Sequence, residues 1–380
     1  MKIVSGIAIA AIIVGCCATA QAEVDNGNFQ IEAAHDGAAR FTRDFHAPLK
    51  RKWLVDLGST VSYPVSGGGM IFVTVVGTGH GPQLFALSPR NGATIWNKNL
   101  TGTGGTPVYA NGRVYVVSFS GDVQAFNAKT GKGAWDVQLD GEWVFDTPPT
   151  ASNGLLYMTG AGSGGLIYAL KQKSGALRWY GQLQGGETSP AVGAGGVYVG
   201  VPCDDYGFGA ANGDVLWTYS VGCSGGGGAI GAYYNGRVYM DDTFEHFVFD
   251  AETGDIVHDF VEEAYPAAFW TPVSGSPLGY YVDGNGTLNA FNPVSIHINW
   301  SVPGTFSIAP VVVNDTVFIG DAGGTLHAYD AATGSQIYSV NVGAPIGGCC
   351  TIQRGLGVAA NSMLLVPAAT QLSAWVTKPD

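Results

Sequence analysis

The chain has 380 residues, of which 46% are hydrophobic and only 12% charged, and it carries 58 Gly and 18 Pro. Glycine spread this evenly means many tight turns rather than long helices, and the length suits one large all-β domain. A formal net charge of −12 argues against nucleic acid or an anionic membrane surface as the main partner.

The chain opens with "MKIVSGIAIAAIIVGCCATAQA", residues 1–22, which reads as a secretory signal peptide. Lys2 gives the positive start, residues 3–14 the apolar run, and Ala20-Gln21-Ala22 a small-residue cleavage site. The run is too short to span a bilayer as a stable helix. Ile13-Val14-Gly15-Cys16 also has the form of a bacterial lipoprotein box, which would put a lipid on Cys16. Cleavage after Ala22 and lipidation at Cys16 are alternatives, and both imply export to the periplasm or beyond. Cleavage leaves Cys203, Cys223, Cys349 and Cys350, an even number suited to an oxidising compartment. Residues 23–45 match no later segment and are expected to form a flexible lead-in.

From residue 46 onward one pattern recurs. "LFALSPRNGATIW" (84–96), "VQAFNAKTGKGAW" (123–135), "IYALKQKSGALRW" (167–179) and "LHAYDAATGSQIY" (326–338) share a template. An alternating strand meets a D/N-x-x-x-G turn, and a second strand closes on an aromatic. Weaker copies lie at 208–217, 247–258 and 288–300. Ahead of each stands another hairpin, as in "TPVYANGRVYVVS", where Pro opens a strand and Asn-Gly turns it. Each unit is thus a four-stranded antiparallel meander. The closing positions are Trp53, Trp96, Trp135, Trp179, Trp217, His258, Trp300 and Tyr338, which makes eight. Trp53 has no hairpins before it, and "GVAANSMLLVPAATQLSAW" near the C-terminus has no outer strand after it. The N-terminal strand is therefore expected to complete the last blade. Residues 46–380 then form one eight-bladed β-propeller, a closed ring without free sheet edges at its seam.

Label the strands of a blade A to D from the axis outward. The B–C turns and the D–A crossings then emerge on one face. Loops on a rigid scaffold carry most sites, so this crossing face is the place to search. Its D–A crossings contribute Trp143, Phe145, Asp146, Glu187, Phe269, Trp270 and Phe306. Its B–C turns add His80, Asp204, Asp205, Tyr206, Asp241, Asp242 and Glu245. Asp241-Asp242 has no recognisable ligand spacing, so no metal site is assigned. Cys203 follows strand B and Cys223 follows strand D of the same blade, so the two can meet in a disulfide at that rim. Cys349 and Cys350 lie in the last D–A crossing. Consecutive Cα atoms are about 3.8 Å apart, and disulfides normally join Cα atoms about 4.4–6.8 Å apart, so a Cys349–Cys350 bond would be strained.

The repeat resembles the pyrroloquinoline quinone (PQQ) propeller family over nearly the whole mature chain. That resemblance implies that each closing Trp packs on the turn glycine of a neighbouring blade, a structural role. "CCTIQRG" is further similar to the adjacent-cysteine segment of quinoprotein alcohol dehydrogenases. By that resemblance Cys349, Cys350 and Arg354 would contact PQQ, with Gln353 where those enzymes have an asparagine. The enzymes also hold Ca²⁺ through a Ser-Gly-Ala-Glu segment, whereas "VTVVGTGHGPQLFAL" and "GAGSGGLIYAL" offer no carboxylate. No C-x-x-C-H haem motif occurs, and Asp146 as a lone carboxylate near the axis reads more readily as structural than as a base.

Compact blades and an export signal resemble instead the propeller subunit of the bacterial outer-membrane β-barrel assembly machinery, a lipoprotein scaffold without cofactor. The expected function is an exported, non-enzymatic binding propeller. It would meet a protein partner at one face, bind no nucleic acid, and touch membrane only through a lipid on Cys16. The alternative is a PQQ-binding oxidoreductase, with Ca²⁺, whose site is degenerate.

Overall fold

The structure, a computed structural model, describes residues 26–41, 45–79, 81–222, 228, 230–241, 246–259, 268–270, 277–306, 308–346 and 355–379. Eight antiparallel four-stranded sheets surround an axis, as the repeat implies. Their inner strands are short, three residues each, and run from Val65–Gly67 in blade one to Gly357–Ala359 in blade eight. Strands B and C are buried on both faces and rich in Val, Ile and Tyr, which suits a sheet packed between two others. The A–B hairpins turn through residues such as Asn111 and Gly112, at φ 51° and 75°, the left-handed pair that a two-residue hairpin requires.

The ring closes as expected. Leu49–Asp56 pairs antiparallel with Gln371–Thr377, with Trp53 opposite Ala374. The N-terminal outer strand therefore completes blade eight.

Neighbouring blades are joined by a repeated lock. The indole of Trp217, the closing aromatic of blade four, lies where a Cβ on Gly254 of blade five would stand 2.5 Å away. Its Nε1–H donates to the Ala251 carbonyl at 3.0 Å. Gly254 has φ 75°, a conformation that favours glycine, so the position is fixed twice over. Trp53, Trp96, Trp135, Trp179 and Trp300 repeat this pairing with Gly92, Gly131, Gly175, Gly213 and Gly334. A second lock was not visible in the repeat. Strand-B hydroxyls of Tyr115, Tyr157, Tyr239 and Tyr280 donate to the same turns, on Gln172, Ala210, Pro293 and Ala331. Between blades five and six the first lock is missing: His258 takes the Trp position, and Ile296, at φ 58°, takes that of the glycine.

The lead-in departs most from expectation. Residues 26–41 fold against the inner strands, with Phe29, Ile31 and His35 at most 1% exposed and only Glu32 and Arg40 well exposed. An inner strand bonded only to strand B leaves N–H groups facing the axis, and buried N–H groups require acceptors. The lead-in supplies them. Ser66 donates to Asn26 O at 2.7 Å, Tyr109 to Gly27 O at 2.8 Å, Val192 to Ala33 O at 2.7 Å, Tyr233 to Ala34 O at 2.9 Å and Val312 to Gly37 O at 2.9 Å. In blade three the Ala151 N–H donates to the Asn28 side chain at 2.7 Å. Each donor is the middle residue of its inner strand. Ala38–Ala39 then adds a fifth, parallel strand to blade seven. Phe41 and Phe45 meet edge to face at 5.2 Å and join that blade's core.

Candidate functional site

The crossing face is built where the outer strand of one blade hands over to the inner strand of the next. The best-formed part lies between blades two, three and four. Trp143 leaves strand D of blade two, and the N–H groups of Trp143 and Val144 both donate to Ala161 O, at 3.2 and 3.0 Å. Its indole covers Gly162, where a Cβ would sit 2.4 Å from the ring. The ring itself is 58% exposed.

Glu142 fixes the loop on which that indole rests. Its carboxylate accepts from the Ser163 N–H at 2.6 Å, the Gly165 N–H at 2.9 Å and the Ser163 hydroxyl at 3.1 Å. Carboxylates bonded to backbone amides make strong hydrogen bonds, so residues 162–165 are held against the crossing. Beside this loop opens a cavity of about 400 Å³ lined by Glu142, Ser163, Leu166, Gln182, Gln184 and Tyr206. The Tyr206 ring is buried, and its hydroxyl accepts the Gln184 N–H at 3.1 Å. Phe119, 42% exposed, and Val221, 48% exposed, extend the apolar surface of the same face. Together they form a rigid, partly aromatic platform with an amide-lined hollow next to it. Sequence reasoning missed Glu142 and Ser163, although the glycine-rich "GAGSGG" turn after "GEW" is the signal that would have found them.

Nearer the axis are Asp146 and Glu187. Burial raises the Asp146 pKa, and one carboxylate oxygen has no hydrogen-bond partner among the described residues. Burial and then the Asp146 charge raise that of Glu187. The two carboxyls therefore feel each other at the inner rim.

Other expected face residues are placed differently. Phe145 is buried over Gly121 and Gly160, and Phe306 is buried against His327 and Tyr329, so neither ring is presented to a partner. Asp204 and Asp205 are buried too, so blade four contributes little exposed acid there. The backbone of Phe269 and Trp270 forms the inner strand of blade six, and Asp241 ends a strand in blade five. His80, Asp242, Glu245, Cys349, Cys350 and Arg354 lie outside the described residues, as does Cys223. Cys203 is buried in the turn after strand B and is disulfide-bonded.

A Cβ on Gly355, directly after Arg354, would lie 3.2 Å from Tyr63 and 4.0 Å from Phe29. The axis beneath this crossing is thus filled by Tyr63 and the Phe29 ring of the lead-in. Among the described residues no three His, Cys, Asp or Glu side chains are grouped to hold a metal ion.

Comparison with known proteins agrees with this architecture. A curated relative, the outer membrane protein assembly factor BamB of Moranella endobia, is 26% identical over 329 residues, covering 72% of this chain and 78% of that protein. The tetrathionate hydrolase of Acidithiobacillus ferrooxidans is 25% identical over 308 residues, covering 69% of this chain and 61% of the hydrolase. Among solved structures, quinohemoprotein alcohol dehydrogenase from Comamonas testosteroni superposes with a TM-score of 0.72 at 15% identity, covering 94% of this chain and 81% of the enzyme. At that identity the likeness shows the fold alone. The family model described as outer membrane protein assembly factor BamB matches residues 34–145, 120–222, 205–348 and 284–375, nearly the whole ring. The chain belongs to that family of PQQ-type propellers.

Proposed function

We propose that this chain is an exported scaffold propeller that holds a protein partner on its crossing face, in outer-membrane protein assembly like its BamB relatives. The observation that carries the reading is Trp143, an indole 58% exposed yet seated on Gly162. An exposed aromatic on a rigid support binds with little loss of side-chain entropy, which is what hot-spot residues at protein interfaces share. The hollow beside it, about 400 Å³, has room for a partner side chain next to that anchor. The N-terminal signal brings the chain to the periplasm, and where cleavage falls before Cys16 instead of after Ala22, a lipid on Cys16 would hold it at the membrane. This reading requires no cofactor and no metal.

The test is co-purification from solubilised outer membranes with the central barrel-assembly protein. Trp143→Ala should weaken capture by a factor of about 30 or more, the scale of a hot-spot truncation. Undiminished capture by a folded variant would sink the assignment of the face. A second reading, a PQQ-dependent oxidoreductase, is favoured by the Cys349, Cys350 and Arg354 segment. Alcohol-dependent dye reduction after loading with PQQ and Ca²⁺ would establish it and displace the first.

A further inference from the structure

The two ends of the ring differ in charge. Among the described residues, no lysine or arginine stands in a B–C turn or a D–A crossing. Those loops carry acids instead, among them Asp140, Glu142, Asp146, Glu187, Asp283 and Asp321. Cations gather at the opposite end. Arg90, Lys129, Lys132 and Lys173 lie in C–D turns, and Arg113 and Arg237 open strand B beside the A–B hairpins. The carboxyls show the difference. Burial raises the pKa of Asp146, and burial with the Asp146 charge raises that of Glu187, with no cation to offset either. At the opposite end the Thr253 amide first, and Arg237 among the rest, hold Asp250 below the usual carboxylate range.

Trp143 stands in the acidic end. Its Cδ2, Cε2 and Nε1 atoms would lie 2.4 to 2.7 Å from a Cβ on Gly162, so the glycine sits under the ring face and not its edge. The ring is 58% exposed, which leaves its other face open. The indole N–H groups of Trp53, Trp96, Trp135, Trp179, Trp217 and Trp300 all donate to carbonyls. That of Trp143 has no partner among the described residues. Asp140 is exposed three residues before it. Glu187 approaches from the next crossing: a Cβ on Gly186 would lie 2.9 Å from that of Ala161, whose carbonyl takes the Trp143 N–H. Glu187 holds φ 64°, a strained conformation of the kind that clusters at functional sites.

A supported aromatic face flanked by carboxylates, without a cation of its own, suits a guanidinium. Arginine stacks on indole, is weakly hydrated and meets carboxylates through a planar fork. We propose that the crossing face of blades two and three receives an arginine-bearing segment of a protein partner, its guanidinium stacked on Trp143 between Asp140 and Glu187. This names the chemistry of the partner and rests on the reading of that face as protein-binding. A second copy of this chain is a poorer occupant, because seating its cationic end here is a head-to-tail contact that repeats without closing.

The test titrates the full chain with the blocked peptide Gly-Arg-Gly-Arg-Gly and, separately, with Gly-Glu-Gly-Glu-Gly, following the indole N–H signals by nuclear magnetic resonance. Trp143→Phe assigns the signal of that ring. The arginine peptide should move it saturably, and the glutamate peptide should leave it in place. Asp140→Asn with Glu187→Gln should weaken the arginine peptide about threefold or more. The same charge removed from the other end, by Asp214→Asn with Glu252→Gln, should change its binding by less than about twofold. Equal shifts from both peptides, a Trp143 signal that does not move, or equal losses from the two double variants would overturn the proposal. So would self-association of the wild type in sedimentation that Lys129→Glu abolishes, since the face would then belong to a second copy. Capture lost in Trp143→Ala with the arginine peptide silent rejects the basic partner alone. Undiminished capture rejects the protein-binding reading beneath it.

Discussion

Asn28 grips Ala151 from both sides: its Oδ1 accepts the Ala151 N–H at 2.7 Å, and its Nδ2 donates to the Ala151 carbonyl at 3.3 Å. The pair ties the third residue of the described chain to the inner strand of blade three. Asn28→Ala leaves both backbone groups of Ala151 buried and unpaired, at a cost on the order of 2–4 kcal/mol. Asn28→Asp keeps the acceptor and should cost less. Urea unfolding reads both, and a loss below about 0.5 kcal/mol for the alanine variant would show that the grip contributes nothing.

The blade lock is testable as a pair. Trp217→Phe removes the donor to Ala251 and should cost about 1–2 kcal/mol. Gly254→Ala forces a Cβ into the indole at a left-handed position and should cost about 2–3 kcal/mol. Both changes damage one contact, so the double variant should lose clearly less than the sum. Strict additivity would mean that the indole and the glycine act independently.

Two neighbouring residues in the lead-in titrate in opposite senses. Burial lowers the pKa of His35 to about 4, against the bond to the Gly231 carbonyl, from 6.5 in the free side chain. The imidazole is neutral when folded, so stability is lost as pH falls from about 6.5 to about 4, by about 3 kcal/mol in all. Burial, and then the charge of Glu32, pushes Asp36 up to about 7. Its contribution is fully present below pH 3.8 and is lost as pH rises through about 7. His35→Gln should therefore flatten the acid side of the stability profile, and Asp36→Asn should raise stability at neutral pH. Profiles that coincide with the wild type would show that neither group is buried in solution.

The cysteine pairing can be mapped directly. Peptide mass spectrometry of the non-reduced protein should show Cys203 linked to Cys223, and Cys349 linked to Cys350. A cross-link between the two pairs would refute both assignments. Brief treatment with a mild reductant should open the strained adjacent pair first.

Blade count and ring closure were legible because like residues recur at fixed places in a unit of similar length, and the Trp–Gly lock was legible only through the family resemblance of that unit. The tyrosine lock was harder to see, since Tyr157 or Tyr280 in a strand is equally well explained as core. The lead-in left no trace in the pattern. Gly27, Ala33 and Ala34 act through their carbonyls, which every residue carries, so their side chains say nothing of the role. At the crossing face the loops could be located but not their side-chain directions. Trp143 and Phe145 are two residues apart, yet one lies open on Gly162 and the other is closed under Gly160 and Gly121.

The most direct measurement places a photo-crosslinking amino acid at position 143 in cells and another at Lys129, on the opposite face. The account predicts an adduct between position 143 and a protein of the barrel-assembly machinery, and none from position 129. An adduct from 129 with none from 143 would contradict it.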